Sequence, residues 1–287
     1  MDTIRNPIEW GMDALKQAAH TVEGVAGAAP DGETAAGTRP AIRKITSDDL
    51  RESVALGFAD FTAFRSDVIF LCIIYPLISL VLIYSVLNYD LLALLFPLAS
   101  GFALVGPVAA IGLYEMSRRR ERGMPASWVD AFAMVRSPSF GAIAILGLIL
   151  LTLFLLWLGA AQLIYLLTLG PEPPLSAAAF LSDVLTTGAG WTMIVVGMGV
   201  GFLFALVVLM ISVVSFPLLL DRPLGIGAAI SASLRAVLVN PGAMALWGLF
   251  VAAALVVGSI PLFLGLVVVL PVLGHATWHL YRKVVRP

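Results

Sequence analysis

The sequence predicts an all-α polytopic membrane protein, and three observations carry that prediction. Of the 287 residues 60% are hydrophobic and only 12% are charged, where soluble domains run near a quarter charged, and the mean hydropathy is +0.99. Apolar runs of about 20 residues, the length that crosses a hydrocarbon core of about 30 Å, recur along the chain. The run ending in GPVAAIGLYEMSRRRERG, Gly106 to Gly123, passes without interruption into Arg118, Arg119, Arg120 and Arg122. That is how a membrane helix leaves the bilayer on its cytoplasmic side, because Lys and Arg flanking a span are retained there.

Residues 1–41 read as a flexible cytoplasmic tail: from Gly24 to Pro40 the only large apolar residue is Val25, too few to bury. No apolar core follows a basic start, so the tail is not a cleaved signal peptide. Ile8, Met12 and Leu15 would share one face of a short helix. Residues 42–287 form the membrane domain. It opens with Thr46 and Asp49 in capping-box spacing, followed by Leu50, Val54, Phe58 and Phe61 at helical intervals, which predicts an amphipathic helix along the membrane surface.

Six spans follow: Val68 to Asn88, Leu91 to Met116, Phe140 to Leu169, Trp191 to Leu220, Pro241 to Gly258 and Ile260 to Leu280. The third and fourth, at about 30 residues each, must tilt or project beyond the lipid. Pro76, Pro97, Pro107, Pro217, Pro261 and Pro271 should bend several of them, tolerable in lipid where a neighbouring helix satisfies the freed carbonyls. All 17 Lys and Arg fall in the N-terminal region, after the second and fourth spans, or in the C-terminal tail. Both termini are therefore expected in the cytoplasm of a bacterial cell, with the protein in the inner membrane. The outer connections are a tight turn at Asn88 to Asp90, the segment Gly170 to Gly190 with a turn or two of helix near Phe180, and a short link at Ser259.

The spans also suggest a repeat. PVAAIGLYEMSRR from Pro107 lies without gaps on PVLGHATWHLYRK from Pro271, pairing Tyr114 with Trp278 and Arg118 with Arg282. A short amphipathic helix precedes each pair of spans: the Leu50 helix, one from Ser127 carrying Trp128, Phe132 and Val135, and one carrying Ile226, Ile230, Leu234 and Val237. The expected architecture is thus three copies of an interfacial helix plus a membrane hairpin.

Few residues offer chemistry. His275 and His279, four apart on a helix, share a face and suit a metal ion at the helix surface. The repeat sets Glu115 at the depth of His279, which makes Glu115 the third candidate ligand, against a reading of both histidines as interfacial hydrogen-bonding groups. No other cofactor is predicted. Arg118, Arg119, Arg120 and Arg122 are either anionic lipid headgroup ligands or topology anchors. Glu115 has helical spacing to Arg118 and Arg119, and Asp221 with Arg222 is an ion pair or a solvated helix end. The centres of the spans lack ionisable residues, unlike ion-coupled transporters. Gly197 and Gly201 stand in GxxxG spacing, where another helix can approach closely. The single Cys72 excludes an intrachain disulfide and multi-cysteine metal sites, and the net charge of −1 gives no field for nucleic acid. No nucleophile motif or phosphate loop is present, so no catalytic residue is assigned.

The strings GFALVGPVAAIGLYEMSRRRERG, ISVVSFPLLLDR and LPVLGHATWHLYRKVV, with IRKIT before the first amphipathic helix, resemble a bacterial family of predicted integral membrane proteins of unknown function, over roughly Ile42 to Val285. Members of that family are sometimes labelled cytochrome c oxidases. A haem-copper core, as that label implies, needs histidines on several membrane helices, whereas this chain has His275 and His279 on one helix and His20 in the tail. The expected role is a non-catalytic accessory, scaffold or assembly protein for another membrane complex, a respiratory one by association. The alternative is a small-molecule or lipid permease. Membrane lipids are the other expected partners.

Overall fold

In the computed structural model the described residues are 40–64, 77, 80, 84, 92–127, 129–131, 137–172, 174, 176–261 and 263–286. The tail, the interfacial helix beyond Ala131 and, apart from Leu77, Leu80 and Tyr84, the first predicted span with its tight turn lie outside them. Among the described residues the chain is helical, with one isolated antiparallel bridge between Ile42 and Val285.

Helix α1, Ser47–Ala63, starts where its capping box predicts: the Thr46 hydroxyl accepts from the Asp49 amide, and the Asp49 carboxylate accepts from the Thr46 amide. Its inward face differs from the predicted one. Leu50, Ser53, Gly57, Asp60 and Phe61 are buried, whereas Phe58 is 53% exposed. A backbone crossing explains this, because a Cβ on Gly57 would sit 2.5 Å from the Ala276 amide nitrogen. The helix lies on its neighbour through small residues, and Phe58 turns outward while Phe61 stays buried.

The second predicted span is divided. A short 3-10 turn, Leu92–Leu94, leads into α2, Leu95–Ala109, and a turn at Ala110 separates it from α3, Ile111–Glu121. Pro107 sits inside α2, three residues before the turn, and the chain carries on through it with the Ala110 amide on the Gly106 carbonyl and the Tyr114 amide on the Ala110 carbonyl. The third span is one unbroken helix as expected, α4, Phe140–Thr168. The following segment forms a fuller helix than predicted, α5, Ala177–Thr186, capped by Ser176.

The fourth span is also in two parts, α6, Gly188–Ser212, and α7, Ser215–Asp221. The break at Val213 and Val214 falls where the Pro217 ring would meet the carbonyl four residues earlier. Helix α8, Ile226–Val239, is the third amphipathic helix, and α9, Pro241–Ser259, follows with proline at its first turn, where the missing amide costs nothing. The sixth predicted span is shortened at its start. Residues 260–261 and 263–265 form turns, with Phe263 at φ 64°, and α10 begins only at Leu266 and runs to Val284.

Among the described residues four stretches are long and apolar enough to cross a membrane: Leu92–Ala109, Phe140–Thr168, Gly188–Asp221 and Pro241–Ser259. Helix α10 is not one of them. Its second half carries His275, Trp278, Tyr281 and Arg282 and is buried largely against α1 and α3. Each large side chain buried there contributes about 1.5–3 kcal/mol, and Trp278, Tyr114, Tyr281 and Phe216 are all fully buried. The densest packing therefore lies at the arginine-rich end. The two ends of the described chain meet there too: the Arg43 amide donates to the Val284 carbonyl and the Arg286 amide to the Ala41 carbonyl. Asn240 pins the incoming strand, accepting from the Ile45 amide at 2.8 Å and donating to the Arg43 carbonyl at 3.0 Å.

Candidate functional site

Helix α3 buries Ile111, Leu113, Tyr114, Glu115, Met116 and Ser117, and the arginines that follow emerge from that packing, Arg118 and Arg119 half-buried and Arg120 and Arg122 exposed. Their acceptors lie on α1, α3, α7 and the segment before α4. Arg118 pairs with Glu115 at 2.6 Å and donates to the Leu220 carbonyl of α7. Arg119 bonds Glu115 at 3.0 Å and reaches Asp130 at 2.7 Å. Arg120 donates to Asp60 and to the Ala59 carbonyl of α1, and Arg122 pairs with Asp221 at 3.1 Å. The arginine run thus ties α3 to α1 and α7 at the rim of the packing.

Asp60, 5% exposed, is the most buried ionisable group on α1 and the centre of one cluster. Its Oδ2 accepts from the Ser117 hydroxyl at 2.5 Å and contacts His279 Nε2 at 2.9 Å, while its Oδ1 takes Arg120 at 2.7 Å. Because Ser117 spends its only proton on Asp60, its oxygen accepts from His275 Nδ1, 2.8 Å away. His275 Nε2 is buried without a hydrogen-bond partner. Burial pushes the Asp60 carboxyl up, but hydrogen bonds from His279 and Ser117 and the nearby histidine charges outweigh it and hold it below the usual carboxylate range.

A second cluster gathers at Asp221, which accepts from the Tyr281 hydroxyl at 2.8 Å and pairs with Arg122 and Arg282. Burial and the Asp221 charge push the Tyr281 hydroxyl up, so it stays a donor. Glu121 joins α3 to α10 by accepting from Trp278 Nε1 at 3.0 Å and Arg282 at 2.9 Å. Lys283 ties α10 to α1 through Glu52 at 2.7 Å.

Between these ties lies a cavity of about 340 Å³, lined by Glu115, Arg118 and Arg119 of α3, by Ser137, Pro138 and Ser139 before α4, and by the stretch from Leu220 to Pro223.

The site residues expected from sequence are placed unevenly. His275 and His279 share a face as predicted, but Ser117 and Asp60 engage them, while Glu115 is held by Arg118 and Arg119. Among the described residues no group of three or more His, Cys, Asp or Glu is arranged to hold a metal ion. Asp221 and Arg222 do not pair with each other: Arg222 donates to the Arg286 carbonyl. Sequence reasoning missed Asp60, Ser117 and Glu121. The one usable signal for Asp60 was its place three residues after Gly57 on a face of small residues, Ser53 among them.

The chain is thus a helical scaffold with apolar spans and one polar, cross-tied end. Residues 95–221 match a family described as Predicted integral membrane protein (DUF2189). The matched segment runs from the start of α2 to the end of α7, so it contains α3, its arginines and most of the cavity wall. The IRKIT and LPVLGHATWHLYRKVV strings, and with them both histidines, lie outside it. No curated protein and no solved structure matches the chain. The protein is an integral membrane protein with several apolar helices.

Proposed function

We propose that the protein is a non-catalytic accessory or scaffold protein of the bacterial inner membrane, with both termini cytoplasmic, whose spans bind another membrane protein. The observation that carries this reading is the open side of α6. Val195, Val196, Met198, Phe202 and Leu203 are exposed along it, and on that side nothing among the described residues lies within 4 Å of where a Cβ on Gly199 would stand. Gly201, by contrast, is used internally, its Cβ position 3.0 Å from the Trp157 ring. A small-residue notch in an apolar helix is what a partner helix packs into, since close backbone approach drives association in lipid. The rigid end around α3 would hold that face in place.

The repeat reading fits this picture. Gly57 of the first interfacial helix meets Ala276, and Ala131 of the second meets Gly112, positions that the alignment of Pro107 with Pro271 makes equivalent.

The test is a gentle-detergent pull-down of the tagged protein from its native membrane with mass spectrometry of what stays bound, repeated with Gly199→Leu. Reproducible capture of subunits of one membrane complex, lost in the leucine variant, supports the reading. Recovery of the protein alone sinks it and moves weight to the permease, for which the cavity at the arginine-rich end is the supporting observation.

A further inference from the structure

The cavity beside α3 is furnished for a ligand that the fold itself does not supply. Its volume, about 340 Å³, is within the range of small-molecule sites. The wall presents three guanidiniums, Arg118, Arg119 and Arg222, against two carboxylates, Glu115 and Asp221. Both carboxylates are ion-paired, Glu115 with Arg118 and Arg119, although its Oε2 accepts no hydrogen bond, and Asp221 with Arg122 and Arg282 and through the Tyr281 hydroxyl. Donor capacity is left over. Arg118 Nε is buried without an acceptor, and Arg222 meets the Arg286 carbonyl at 2.6 Å but, among the described residues, no carboxylate. The start of α4 opens on the same space through Ser137, Pro138 and Ser139, and no side chain caps it. A helix start carries partial positive charge, and a buried donor without an acceptor is costly.

Surplus donors on guanidinium forks, serine hydroxyls and an uncapped helix start call for a compact oxyanion with several acceptor oxygens. We propose that this cavity binds a phosphate group, carried by a phospholipid headgroup or free. Arg118 and Arg222 are its principal donors. Arg120 and Arg122 are not part of the site, because Asp60 and Asp221 hold them. Pro138, Leu220 and Pro223 on the same wall offer apolar surface to a glycerol backbone, which a free phosphate would not need.

The experiment titrates full-length protein in detergent with a soluble short-chain phosphatidic acid, with diacylglycerol of the same chain length, and with inorganic phosphate, followed by calorimetry. Phosphatidic acid binds and diacylglycerol does not; Arg118→Lys, which keeps the charge but loses the fork, and Arg222→Ala each weaken binding by about tenfold or more. Arg43→Ala, an arginine outside the cavity, leaves it unchanged. Thermal unfolding of each variant, within a few degrees of wild type, establishes that the fold is intact. Tight binding of phosphatidic acid alone identifies the lipid source, and equally tight binding of inorganic phosphate identifies the free ion. Binding of neither, equal binding of diacylglycerol, or wild-type affinity in both cavity variants overturns the proposal.

Discussion

Asp60 shows how one residue couples three helices. Removing it in Asp60→Ala takes the acceptor from the Ser117 hydroxyl and from His279, while Arg120, which is exposed, keeps the Ala59 carbonyl and solvent. Leaving buried donors unpaired costs about 1–3 kcal/mol, and denaturant unfolding in detergent should register a loss of that order. The same contacts make stability depend on pH. The Asp60 carboxyl is held below its ordinary value in the folded protein, so the unfolded chain takes up protons first as the pH falls. Its contribution is complete above the ordinary carboxylate value of about 4 and is lost as pH descends through the depressed folded value. Asp49 is lowered as well, its hydrogen bonds from Thr46 and Arg43 overcoming burial. Thermal scans at decreasing pH should therefore show wild type losing stability in acid, with a smaller loss in Asp60→Asn. At Gly57 the constraint is space alone. Gly57→Ala would place a methyl against the Ala276 backbone, at 2.5 Å from its nitrogen, and should cost about 1–3 kcal/mol by forcing α1 away from α10.

At the scale of elements, how readable each helix was followed the kind of signal it carried. Helices α4 and α9 matched expectation within a residue or two at both ends because they are plain apolar runs with clear starts, Pro241 at the first turn of α9 among them. The capping box of α1 was legible for the same local reason. What the pattern hid was a break inside an apolar run. Hydropathy does not fall at Pro107 or Pro217, so the breaks before α3 and α7 are backbone events without a compositional trace. The inward face of α1 was hidden differently, since a crossing that uses Ser53, Gly57 and Asp60 reads as the polar side of an amphipathic helix. The candidate site was legible only in its arginines and histidines. Their acceptors come from elements distant in sequence, Asp60 lying 57 residues from Ser117 and 219 from His279. One further element carries a prediction. Asn240, at the junction of α8 and α9, holds the strand before α1 through Ile45 and Arg43, so Asn240→Ala should speed tryptic cleavage after Lys44 several-fold, read by peptide mass.

For the whole molecule, the packing divides the protein into two regimes. The spans turn wide apolar surfaces outward, as helices do when lipid or another span is their solvent, while polar groups and large aromatics concentrate at one end. Both ends of the described chain lie there, joined at Ile42 and Val285. Reporters fused at the C-terminus and inserted at residue 40 should therefore score on the same face of the membrane, which the proposed orientation expects to be the cytoplasmic one. Opposite scores would contradict the paired termini.

The central claim is that α3 and its arginines make the polar end a single unit, with α1, α7 and α10 held together through Asp60 and Asp221. Amide hydrogen exchange of the full-length protein in nanodiscs, wild type against Asp60→Asn, tests it directly, because contiguous cooperative units open together. The account predicts faster exchange in α1, α3 and the second half of α10 together, with the spans α4 and α9 unchanged. Faster exchange confined to α1, or no change at all, would contradict it.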